Sequence, residues 1–145
     1  MSNPHIRHVC LFYHLLTQVA SEAEFNQLLS SPDSPDSPAL TMVEFTAPWC
    51  GPARKLAPAY ASLSEDFPTL RFLKVDIQAL ESLGARFNVT SMPNIAVLKQ
   101  GQEIERVTDS EGSENIMKRL REICKSVSEV GSAGSESLAS DVTME

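Results

Sequence analysis

Five short apolar runs are separated, up to the fourth, by segments whose apolar residues return every third or fourth position. The runs are Leu15–Val19, Leu40–Phe45, Leu70–Val75, Asn94–Leu98 and Glu103–Val107, with the length or alternation of strands. Phe25, Leu28 and Leu29 mark a helix between the first two, Leu56, Tyr60, Leu63 and Phe67 a longer one, and Leu80, Leu83 and Phe87 a short one. Ile116, Leu120, Ile123 and Val127 place a last helix after the fifth run. Ser21 caps the first helix with Glu24 reaching back, and Ser113 caps the last. Pro58 falls inside the second helix, where a kink is expected. The first three strands, joined through helices, form a parallel βαβαβ half, whereas Lys99-Gln100-Gly101-Gln102 closes the last two into an antiparallel hairpin. The expected class is therefore α/β, with a central mixed sheet of about five strands and helices on both faces.

Charge and composition remove several functions. The 145 residues suit one domain, and the net charge of −7 argues against nucleic acid, whose phosphates demand clustered Lys and Arg. No apolar run approaches the roughly 20 residues of a membrane span. Three scattered cysteines, Cys10, Cys50 and Cys124, make no secreted disulfide framework and fit a reducing, cytoplasmic setting. His5, His8, Cys10 and His14 match no zinc-ligand spacing, so no metal and no cofactor is expected. Residues 1–14 read as an N-terminal extension. They weakly resemble a targeting peptide, but His14 interrupts the apolar run and cleavage after Ala20 would remove the first strand; organelle targeting is the alternative. Residues 15–127 form the expected domain, residues 31–38 a Ser-Pro-Asp loop, and 128–145 a disordered tail carrying Glu129, Glu136, Asp141 and Glu145.

The chemistry gathers at Trp49-Cys50-Gly51-Pro52-Ala53. A helix begins there, so the free N–H groups and dipole of its first turn stabilise a Cys50 thiolate, the form that attacks sulfur. Pro52 stiffens the turn, and Trp49 sets an apolar shelf beside the sulfur. The plain alternative is an inert buried thiol. Cys124, beside the apolar stripe of the last helix, reads as a small core residue, with a distant partner thiol as the alternative.

These residues resemble the thioredoxin family over about residues 15–127. Trp49-Cys50-Gly51-Pro52 matches the motif that opens the family's second helix, and Pro58 its kinking proline. Glu44 falls where the family buries an acid beneath the site; the alternative is a carboxylate half exposed or paired with Lys74. Met92-Pro93 matches the cis-proline loop that pairs with a substrate chain. The resemblance implies the thioredoxin fold, disulfide-exchange chemistry at Cys50 with Glu44 as proton acceptor, and a substrate surface of Trp49, Gly51, Pro52, Met92, Pro93 and Asp109. Partners would be proteins carrying disulfides or cysteines, with thioredoxin reductase or glutathione as candidate co-reactants. Four departures stand out. Ala53 replaces the resolving cysteine, Asp109 replaces a glycine, Asn94 replaces a threonine, and the Ser-Pro-Asp loop is inserted. Without a second sulfur, a mixed disulfide formed at Cys50 is expected to persist. Three readings remain open. The first is a thioredoxin whose resolving cysteine was lost, by drift or by engineering. The second is a monothiol reductase resolved by glutathione, with Arg54 and Lys55 as the nearby cations. The third is a redox-inactive binding module.

Overall fold

The computed structural model describes residues 16–30, 38–108, 112 and 114–127. The extension at 1–14 with its His and Cys residues, the loop at 31–37, Asp109, Ser113 and the tail at 128–145 lie outside the described residues.

The chain forms β1 (Thr17–Gln18), α1 (Glu22–Leu29), β2 (Thr41–Thr46), α2 (Gly51–Asp66), β3 (Arg71–Asp76), α3 (Glu81–Arg86), β4 (Asn94–Lys99) and β5 (Gln102–Thr108). A last helix, α4, covers 114–127. The strands join into one five-stranded sheet in the order β1-β3-β2-β4-β5. Its β1, β3 and β2 are parallel, and β4 and β5 antiparallel. The mixed sheet expected from the order of the runs is the one observed.

Side chains alternate across the sheet, so each strand feeds two cores. Met42, Phe72, Ile95, Val97 and Val107 meet Leu56, Tyr60 and Leu63 of α2 and Ile116, Leu120 and Cys124 of α4. Val43, Phe45, Leu73, Val75, Ala96 and Leu98 meet Phe25 of α1 and Leu83 of α3 on the opposite face. The buried Tyr60 hydroxyl lies 3.1 Å from the Met42 carbonyl and 3.0 Å from that of Leu73, linking α2 to both central strands.

Local signals decide the element ends. The Ser21 hydroxyl accepts from the Glu24 N–H at 3.0 Å, and Glu24 Oε1 accepts from the Ala20 N–H at 2.7 Å. The reciprocal bond of the capping box thus reaches one residue further back than Ser21. Helix α2 continues through Pro58 to Asp66. Gln100 and Gly101 both take positive φ, 53° and 80°, the backbone a tight two-residue hairpin turn requires. One expectation is corrected in β5, which does not alternate cleanly. Leu98 pairs with Glu103 but Val97 with Glu105, so Ile104 is an extra residue in a bulge and is 54% exposed.

Candidate functional site

Cys50 is the N-cap residue of α2, in extended conformation, with Gly51 and Pro52 opening the helix behind it. The turn is closed by its own backbone. The Cys50 N–H donates to the Ala47 carbonyl and the Arg54 N–H to the Cys50 carbonyl, both at 3.1 Å. No side chain caps the helix, so its first N–H groups face the Cys50 end without a competing oxygen from the cap residue. Cys50 is 7% exposed and packs with Ala47 and Ala53, the latter 1% exposed. Ile77 and Met92 lie against this cluster. The Met92–Pro93 peptide is cis, Met92 is half-buried and Pro93 buried. Trp49, by contrast, is 67% exposed, the largest apolar surface beside the sulfur.

Glu44 sits in the middle of β2, facing Lys74 on one side and Ile95 on the other. It is fully buried, and neither carboxylate oxygen has a hydrogen-bond partner. It is therefore neither half exposed nor held in an ion pair with Lys74. Burial pushes its carboxyl up to about 7, against a weaker opposing pull from Lys74. A carboxyl in that range exchanges protons near neutrality, which suits a general acid or base.

The sheet register builds a second feature. Gln18 pairs with Lys74, Lys74 with Glu44, and Asp76 with Thr46. Because residues two apart share a face, these side chains all leave the sheet on the side that carries α2. Gln18, Thr46, Lys74 and Asp76 line an open depression of about 370 Å³, closed off by Ala47, Pro48 and Arg54. Its wall at Ala47 is shared with the Cys50 cluster.

Cys124 takes no part in the site. It is fully buried in the core under α4, with its thiol pushed up to about 12 by burial despite Arg121. That position suits the core residue expected from its place on α4, not a distant partner thiol. Asn94, next to the cis peptide, is buried and accepts from Arg106 Nη1 through its Oδ1 at 3.2 Å. Arg106 is itself held by Glu103 and lies over the Phe87 ring. Ile77 contacts the cysteine cluster across the chain and carries no local signal in the sequence. Among the described residues no group of His, Cys, Asp and Glu could hold a metal, and no helix is long and apolar enough to cross a membrane.

A mixed five-stranded sheet, a cysteine capping the helix after a central strand, and a cis-proline loop packed beside that cysteine define the class: an α/β protein carrying a thiol at a helix N-terminus. The thioredoxin family model matches residues 16–122. Over 83 residues the chain is 39% identical to an H-type thioredoxin of Fagopyrum esculentum, covering 57% of this chain and 72% of that one. It is 38% identical over 79 residues to thioredoxin H2 of Arabidopsis thaliana, covering 54% of this chain and 59% of that one. The crystal structure of thioredoxin NaTrxh from Nicotiana alata superposes with a TM-score of 0.65 at 27% identity, covering 73% of this chain and 90% of that one. Thioredoxin from Plasmodium falciparum gives 0.58 at 31% identity, covering 70% and 97%. The chain belongs to the thioredoxin family, whose general chemistry is thiol–disulfide exchange.

Proposed function

We propose that this protein attacks disulfides of target proteins through Cys50 and stays joined to them as a mixed disulfide until an external thiol arrives. The observation that carries this reading is the pairing of Cys50 at the helix N-terminus with a buried alanine at position 53 in the same apolar cluster. The helix terminus favours the attacking thiolate. Release needs a second thiolate at the Cys50 sulfur. Ala53 occupies the place from which a family member's own second sulfur would act, and Cys124 is sealed in the core. Glu44 is the candidate proton acceptor, a role that in the family serves chiefly the resolving thiol and that with Ala53 in place lacks its usual client. Trp49, Gly51, Pro52 and Met92 form the surface on which a target chain rests, beside the cis Met92–Pro93 peptide, and Asp109, outside the described residues, is a further candidate.

The test is to mix the protein with an oxidised peptide and follow intact mass without reductant. A Cys50-dependent adduct is expected, absent in Cys50→Ser. The Ala53→Cys variant is expected to release the peptide in reduced form and to reduce insulin at least ~100-fold faster than the Ala53 chain, since closing a local disulfide replaces a bimolecular step. No adduct with the Ala53 chain, alongside turnover by Ala53→Cys, would overturn the proposal.

The exposed Trp49 favours one competing reading, a docking module without turnover. That reading requires Cys50→Ser to bind targets as tightly as the natural chain, measured by calorimetry with reduced peptide. We place the protein in the cytoplasm, a reducing setting that suits three scattered cysteines and one helix-terminal thiol.

A further inference from the structure

We propose that the depression beside α2 binds a small carboxylate-bearing thiol, which resolves the Cys50 mixed disulfide in place of the missing second cysteine. The inference deepens the proposed function and rests on the Cys50 adduct forming.

The depression carries unspent positive charge. Arg86, Arg106, Arg119 and Arg121 are each held by a carboxylate, and Arg71 by a backbone carbonyl. Arg54 is the one arginine among the described residues with no such partner, and it lines the depression. Lys74 lines it too, within electrostatic reach of the buried Glu44. The one acid in the wall, Asp76, is already engaged. Its Oδ1 accepts from the N–H groups of Gln78 at 2.8 Å and Ala79 at 3.3 Å. Lys74 is shared with the buried Glu44 beneath it and Asp76 keeps its charge, so Arg54 is the cation left to pair with an anion. Gln18 and Thr46 add neutral polar groups for a ligand backbone. At about 370 Å³ the space falls in the small-molecule range of roughly 300–1,000 Å³.

Its position supplies the chemistry. Ala47 belongs both to the wall of the depression and to the cluster that holds Cys50 and Ala53. Arg54 follows the motif directly and its N–H holds the Cys50 carbonyl. Cys50 does not itself line the depression, so a thiol anchored there by its carboxylates reaches the sulfur past the shared Ala47 wall, while Trp49 and Met92 are left to the target. The thiolate attacks Cys50 Sγ and forms a new S–S bond. The bond from Sγ to the target sulfur breaks, and the target leaves as a thiolate that takes a proton from water. A second molecule of the thiol attacks the first at its sulfur, freeing Cys50 as thiolate and leaving as the symmetrical disulfide. Two small thiols lose two electrons and one target disulfide gains them.

Glutathione, with two carboxylates, is the probe, and 2-mercaptoethanol, with none, its control. Each is added to the preformed adduct of the full chain with a labelled peptide, and rates are compared per thiolate. The expected result is a saturating rate with glutathione, a transient Cys50–glutathione species by intact mass, and a faster rate than with 2-mercaptoethanol. Arg54→Glu is expected to slow glutathione about tenfold, the worth of one charge-assisted contact. Lys118→Glu makes the same charge change on an exposed residue of α4 that does not line the depression, and is expected to change the rate less than about twofold. Equal effects of the two variants, or a linear response with no preference for glutathione, overturn the inference and leave the Cys50 reading standing. Failure of the peptide adduct to form overturns both.

Discussion

Burial holds the Glu44 carboxyl at about 7, whereas in the unfolded chain it returns to about 4.5. Between those values the folded protein keeps a proton that the unfolded chain has released. Stability therefore falls as pH rises from about 4.5 to about 7 and levels off above, at a cost on the order of 3 kcal/mol. Glu44→Gln removes the ionisation and keeps the buried polar group. Its stability relative to the natural chain should rise by that order between about pH 4 and about pH 8, read from urea unfolding at each pH. A difference that stays flat across this range would show that Glu44 ionises normally. At this scale the sequence was eloquent about Cys50, Pro93 and Glu44, because each sits in a short motif or at a fixed spacing from one. It was silent about Ile77, and about the bond from Arg106 to Asn94, because those contacts join residues far apart in the chain.

At the scale of elements, the caps and turns were readable because their chemistry is local. The Ser21 hydroxyl replaces one missing backbone partner of α1, so Ser21→Ala should cost about 1 kcal/mol in chemical denaturation. No loss would mean that Glu24 alone holds the helix start. Gly101 stands at φ +80° in the β4–β5 turn, so Gly101→Ala should cost about 1 kcal/mol through its left-handed backbone. The same experiment on Gly51, where an added Cβ meets nothing within 4 Å, checks that the cost is conformational and not a matter of space. The bulge at Ile104 escaped the sequence because a register shift depends on the partner strand. Glu103-Ile104-Glu105 alternates as a regular strand would, and only pairing with Val97 and Leu98 shows the extra residue.

At the scale of the molecule, both cores share one sheet, so helices on either face are coupled through the same strands. Trp49 is the chain's only tryptophan and reports the site, while far-UV circular dichroism reports the whole. The two signals should lose structure at one urea midpoint, as a single cooperative unit does. A Trp49 transition that precedes the other would show that the site comes apart by itself. The sequence alone determined the order of strands and helices, the mixed sheet, the thiol at a helix start and the absence of a second sulfur beside it. These follow from periodicity and from motifs whose members lie within a few residues of one another. Tertiary structure alone decided that Glu44 is sealed without a partner, that Cys124 is core, and that Gln18, Lys74, Asp76 and Arg54 meet around one depression. Burial and register are set by which strands lie side by side, and no local run of residues encodes that.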